Sequence, residues 1–230
     1  MVKNFLPMIA RSKWSAAAIV CLVVCLFAGR AAALTVEAPA DTTGDPIASI
    51  KMIIDQSVVV FKQQNIPEDV RRQKLRAIAE SHFDFTEMAR SACGYHWRTF
   101  TPEQKAEFVP LFTKFIEDVY LSQIESYSVE KIDQQINSSK IEFTKQVSDA
   151  PDYAEVFSSV TLADREDPMQ VIYETRREGG EWKIYDITIA AISVIANYRN
   201  QFNRVLNNDG YDKLVSIVRQ KIQGLQQPAQ

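Results

Sequence analysis

The chain has 230 residues, 46% of them hydrophobic and 24% charged, with 26 Lys and Arg set against 29 Asp and Glu for a net charge of −3. This balance argues against a nucleic-acid partner, whose phosphates need clustered cations, and against direct adsorption to an anionic membrane. With seven glycines and three cysteines, the chain also lacks the material for phosphate-cradling loops or a disulfide framework.

In chain order, the first signal is an N-terminal leader. Lys3, Arg11 and Lys13 make a positive start, no acid precedes Glu37, and 16–28 is an unbroken apolar run. That run is short for a bilayer span, and Ala31-Ala32-Ala33 offers small residues for cleavage. The pattern predicts a cleavable secretory signal peptide over 1–33; an uncleaved anchor would ask for a longer apolar stretch. Its removal takes away four of the 26 cations (Lys3, Arg11, Lys13 and Arg30) and none of the 29 acids, which lowers the charge from −3 to −7. Cys21 and Cys25 leave as well, so Cys93 stands alone, among apolar neighbours that suit a buried small hydrophobe.

Residues 34–44 show no periodicity and read as a disordered leader. A single domain is then expected over 45–226. Asp45-Pro46 is a helix start, followed by Ile47, Ile50, Ile54, Val58 and Phe61 at helical spacing. Asn65-Ile66-Pro67 breaks that helix. A charged helix from about Pro67 to His82 turns Val70, Leu75 and Ile78 inward, and Asp84 caps a short helix that Gly94 ends. Thr101-Pro102-Glu103-Gln104 is a capping box with proline at the first helical position. The helix it opens carries Phe108, Leu111, Phe112, Phe115, Val119, Tyr120 and Ile124 on one face, with a kink expected near Ala106 because Pro110 lacks an amide hydrogen.

From about Ser139 the period becomes two. Ile141, Phe143 and Lys145 begin the alternation; Ala154, Val156, Ser158, Val160 and Leu162 form an inward face, and Met169, Val171, Tyr173 and Thr175 another. Turns are expected at 149–152 and 164–168, and Gly179-Gly180 closes a hairpin onto 182–189. Helix returns with Ile192, Ile195, Tyr198, Phe202 and Val205, stops near Asn208-Asp209-Gly210, and resumes through Leu214, Ile217, Val218 and Ile222. Helices, a meander of three or four strands, then helices define an α+β class with helices on one face of a curved antiparallel sheet.

Catalytic chemistry has little to work with. Only His82 and His96 are available, in no metal-ligand spacing, so no metal and no cofactor is expected. Asp84 and Asp186 have simpler roles, as a helix cap and as a structural hydrogen-bond partner. Apolar side chains are abundant instead, and composition alone does not separate a filled core from a lined cavity.

Two motifs narrow the choice. Phe83-Asp84-Phe85-Thr86-Glu87-Met88-Ala89-Arg90 leads to Ala92-Cys93-Gly94, Trp97-Arg98 and the Thr101–Gln104 box. Trp182-Lys183-Ile184-Tyr185-Asp186-Ile187 continues through Ile192-Ser193-Val194-Ile195 to Asn197-Tyr198-Arg199-Asn200-Gln201-Phe202. In order and spacing this resembles the MlaC family, also called the toluene-tolerance family, over roughly 45–225. Cys93 stands where the family usually has a larger apolar residue, and Ala191 where it commonly has glycine in the strand-to-helix turn.

The resemblance implies an NTF2-like sheet with helices enclosing an apolar pocket, and a periplasmic lipid carrier of Gram-negative bacteria, not an enzyme. It implies a phospholipid cargo, or a hopanoid-type lipid if the chain belongs to that branch. The implied partners are an inner-membrane MCE-type ABC transporter and an outer-membrane lipoprotein–porin complex. The tails are then expected between a sheet face of Val156, Val160, Val171, Tyr173 and Ile184 and helical side chains. The helical set is Phe85, Met88, Phe108, Phe112, Phe115, Val119, Ile195, Tyr198 and Phe202. Arg90, Arg98 and Arg199 are candidates for the headgroup end, or for structural pairing with Asp84 or Asp186. Rival readings are a protein-interaction module with a filled core and a small-molecule enzyme on an NTF2-like scaffold.

Overall fold

The computed structural model describes residues 44–63, 66–125, 127–162 and 167–225. The expected signal peptide, nearly all of the leader, and most of the turn at 164–168 lie outside these residues, as does Asn65 of the first helix break. The described chain forms two compact units, a helical one (85–125 and 192–225) and one of helices and sheet (44–84 and 127–191).

The second unit begins with α1 (Pro46–Lys62). The Asp45 carboxylate accepts from the Ile47 amide at 2.9 Å and Pro46 takes the first position, as the sequence predicts. Ile50, Ile53, Ile54, Val58 and Phe61 are buried, and the helix lies against the sheet. Helix α2 (Glu68–His82) buries Leu75, while Val70 and Ile78 are half-buried. It also buries Arg71, which sequence patterning assigned to no role. The Arg71 guanidinium donates to the carbonyls of Val60 and Phe61 (3.0 Å each) and Gln63 (2.8 Å), so it caps the C-terminal end of α1.

The sheet follows, antiparallel throughout, with β1 (Lys140–Ala150), β2 (Tyr153–Thr161), β3 (Met169–Glu178) and β4 (Glu181–Ile189) in sequential order. Alternation places Ala154, Val156, Ser158 and Val160 of β2 beside Thr175, Tyr173, Val171 and Met169 of β3, all buried. Gly179 and Gly180 close the β3–β4 hairpin with φ of 61° and 93°, the positive pair that a two-residue turn of this hand requires. In β4 the register slips: Ile184 faces Thr175 but Asp186 faces Glu174, leaving Tyr185 as an extra residue. This bulge lets both Asp186 and Ile187 be buried, which strict alternation forbids.

The second block of this unit opens with α3 (Val129–Ser138), a helix that the sequence reading did not anticipate. Its signals were present: Ser128 accepts from the Lys131 amide at 3.3 Å, and Ile132 and Ile136 form its buried stripe. Three apolar residues in ten are a weak period, and the strand pattern beginning at 140 masked it.

The helical unit contains α4 (Phe85–Cys93), a 3₁₀ turn (Gly94–Arg98), α5 (Pro102–Glu125) and α6 (Val194–Leu225), preceded by the two-residue strand β5 (Ile192–Ser193). Gly94 ends α4 at φ 57°. The capping box forms: the Gln104 amide donates to Thr101 Oγ1 (3.2 Å) and the Thr101 amide to Gln104 Oε1 (3.0 Å). Helix α5 runs through Pro110 over 24 residues. The predicted stop near Asn208–Gly210 is an interruption at Gly210 (φ 79°, ψ −173°), beyond which helix continues. The α+β class read from the sequence is the class that forms, with four long strands and one short one among the described residues.

Candidate functional site

In the helical unit the predicted apolar side chains assemble into a ring cluster. Helix α5 faces α6, and capping at Thr101 sets the phase that turns Phe108, Phe112 and Phe115 inward together. Phe112 lies with ring centroids 5.9 Å from Phe108, 6.3 Å from Tyr198 and 6.0 Å from Phe202. Phe115 meets Tyr198 edge-on at 5.5 Å. Edge-to-face packing of this kind contributes about 0.5–1.5 kcal/mol per pair beyond burial. Met88, Val119 and Ile195 are also buried, and Phe85 is half-buried.

One atom in this cluster is out of character. The Tyr198 side chain is fully buried, and its hydroxyl hydrogen meets no acceptor at ordinary hydrogen-bond geometry among the described residues. Burial drives its pKa well above the ordinary tyrosine range. The Tyr120 hydroxyl on α5 tempers that rise by acting as a donor toward the Tyr198 oxygen, which leaves the Tyr198 hydrogen to be placed elsewhere.

In the other unit, Val156, Val160, Val171, Tyr173 and Ile184 share the buried side of the sheet. The polar residues among them are tied down: Ser158 Oγ donates to the Val171 carbonyl (3.3 Å) and Thr175 Oγ1 to that of Ala154 (2.8 Å).

Two of the three candidate arginines take structural partners. Arg90 forks onto Glu87 one turn earlier (Nε 2.7 Å, Nη2 2.6 Å) with its own side chain half-exposed. Arg199 Nε donates to the Ser91 carbonyl at 2.6 Å, joining α6 to α4. Arg98 is exposed in the 3₁₀ turn. The buried Asp84 carboxylate binds a cation that the sequence reading did not single out, Arg176, from Nε at 2.9 Å and from Nη2. Asp84 also joins the sheet, its amide donating to the Ile184 carbonyl at 2.9 Å. Asp186 accepts from the Ile187 amide (2.7 Å) at the bulge.

Groups capable of chemistry are held quietly. Burial pushes the Cys93 thiol well above its usual range, which suppresses the nucleophilic thiolate. His82 ends α2 with Nε2 3.1 Å from Gln56 Oε1, and burial lowers its pKa. The His96 ring stacks on Tyr95 at 4.0 Å. Among the described residues no three His, Cys, Asp or Glu side chains gather as metal ligands, and no helix is long and apolar enough to cross a membrane.

Comparison with known proteins points one way. A family model described as MlaC protein matches residues 51–220. The intermembrane phospholipid transport system binding protein MlaC of Haemophilus influenzae is 26% identical over 129 residues, covering 55% of this chain. The matched stretch spans 56% of that relative's length, little more than half. A phospholipid-binding protein from Ralstonia solanacearum, solved in complex with a phospholipid, superposes with a TM-score of 0.62 at 21% identity, covering 82% of this chain and 100% of that one.

Proposed function

The chain belongs to the MlaC family, and on that premise we propose that it is a periplasmic carrier that moves phospholipid between the inner and outer membranes. The observation that carries the reading is the family match across 51–220, which spans both sequence blocks of both units. The Haemophilus relative's role in intermembrane phospholipid transport and the fold shared with a phospholipid-bound protein support it.

The physical need is hydrocarbon shelter. Burying one methylene contributes about 0.8 kcal/mol, so exposing an acyl chain of about 15 carbons costs on the order of 12 kcal/mol. A protein that keeps the chain covered lowers that barrier without making or breaking a bond, and needs no catalytic group. The side chains proposed to meet hydrocarbon are, in the helical unit, Phe85, Met88, Phe108, Phe112, Phe115, Val119, Ile195, Tyr198 and Phe202. In the sheet unit they are Val156, Val160, Val171, Tyr173 and Ile184. Arg98 is the arginine left most available to a phosphate, since Arg90 and Arg199 already hold Glu87 and the Ser91 carbonyl. An inner-membrane MCE-type ABC transporter and an outer-membrane lipoprotein–porin complex would be the donor and acceptor, and any directionality comes from them.

The test is mass spectrometry of an organic extract of the full chain, expressed with its own leader and purified from the periplasm. A stoichiometric phospholipid is expected, and its headgroup and chains identify the cargo. A folded protein whose extract holds no lipid overturns the carrier reading.

A further inference from the structure

We propose that the Tyr198 hydroxyl is a lipid-recognition group that donates a hydrogen bond to an acyl ester carbonyl of the bound phospholipid; this rests on the carrier reading above. Tyr198 sits on α6 with its ring locked edge-on against Phe115 (5.5 Å) and Phe112 (6.3 Å), so the direction of its C–O bond is set by packing. The Tyr120 hydroxyl serves its oxygen as a donor, and its hydrogen meets no acceptor at ordinary hydrogen-bond geometry among the described residues. Leaving a buried hydroxyl unsatisfied is unfavourable, and phenylalanine, which the cluster uses at 108, 112, 115 and 202, would avoid that loss.

The partner that fits must bring a hydrogen-bond acceptor into an apolar, aromatic wall without a full charge. A carboxylate or phosphate would be desolvated there at high cost. An ester carbonyl at the head of a hydrocarbon chain satisfies both conditions: it accepts well, it is neutral, and the chain beyond it suits the neighbouring rings. The group remains the neutral donor over the whole physiological range, because its proton is held more tightly than in free tyrosine. The hydroxyl would then register the chain, fixing where the glycerol end stops.

The experiment compares diester and diether phosphatidylglycerol of equal chain length, offered as a 1:1 mixture in vesicles to delipidated full-length protein. The bound ratio is read by mass spectrometry. The ether lacks the carbonyl, so the wild-type protein is expected to enrich the diester about fivefold, the effect of one neutral hydrogen bond. Tyr198→Phe is expected to take both equally, and in the lipid-free state to melt no lower than wild type, since it sheds an unsatisfied donor. Equal uptake of the two lipids by wild-type protein overturns the proposal without reference to any variant. An enrichment that survives in Tyr198→Phe also overturns it. If wild-type protein takes up neither lipid, the carrier reading falls, and this inference with it.

Discussion

Arg71→Met tests how much of the sheet unit depends on one cation. The substitution keeps an apolar stem of similar length and removes the guanidinium, so the carbonyls of Val60, Phe61 and Gln63 lose donors now 2.8–3.0 Å away. A hydrogen bond to a charged group contributes about 1.5–3 kcal/mol. The three bonds share one side chain, and the bond to Gln63 is only partly buried, so their sum is not additive. A loss of about 3–4 kcal/mol is expected, a large share of the ~5–15 kcal/mol that stabilises a typical domain. At this size, that lowers Tm by about 6–16 °C. Arg71→Lys keeps the charge but cannot fork to three acceptors, and should recover about half of the loss. Urea unfolding of the intact chain measures the difference, and hydrogen exchange at the last α1 amides locates it. A Met variant within about 1 kcal/mol of wild type, or a Lys variant indistinguishable from it, would refute the capping argument.

Ala191→Gly should stabilise. Ala190 and Ala191 sit at φ of 47° and 66°, where an L-residue is disfavoured by about 1–2 kcal/mol, and glycine's greater unfolded-state entropy takes back about 0.5–1 kcal/mol; thermal melting that shows a loss instead would contradict this. Phe112→Trp and Val160→Trp each overpack a fully buried position and should cost about 1–3 kcal/mol while clearing the co-purifying lipid, with far-UV circular dichroism unchanged. Unaltered lipid content in both removes these side chains from the proposed contact set. His82 has its folded pKa depressed by burial, so the unfolded chain binds its proton first and stability should fall as pH drops through about 6.5. In His82→Gln that part of the acid sensitivity should vanish from the pH dependence of the urea midpoint, and its persistence would assign the effect elsewhere.

Much of the fold was legible because its signals are local. The Asp45-Pro46 start, the Thr101–Gln104 box, the Gly179-Gly180 turn and the alternation from 154 to 175 each lie within a few residues and act through neighbouring backbone. What escaped depends on a distant partner. Arg71 reads as one more charge on a polar helix until the carbonyls of α1 are brought to it. Asp84 and Arg176 are 92 residues apart, and nothing in either neighbourhood announces the other. The Tyr185 bulge is a property of two strands at once, so alternation along β4 alone does not predict that Asp186 and Ile187 are both inside. The departure from glycine at Ala191 was visible, but that Ala190 beside it is also left-handed was not.

The candidate lipid contacts expose a subtler limit. Residue type marks a wall as apolar or polar, whereas a ligand meets only the hydrogen-bonding capacity that the fold leaves unspent. Ser158 and Thr175 look polar in the sequence, yet each donates its hydroxyl hydrogen to a backbone carbonyl across the β2–β3 pair. Their donors are thereby spent within the sheet. Tyr198 reads as one more aromatic at helical spacing, yet its donor is unspent in the interior of the helical unit. The polar address on the proposed hydrocarbon-binding wall is thus set by geometry across elements, which is why a count of hydrophobic positions names apolar faces and not the point on them where an ester oxygen would be recognised.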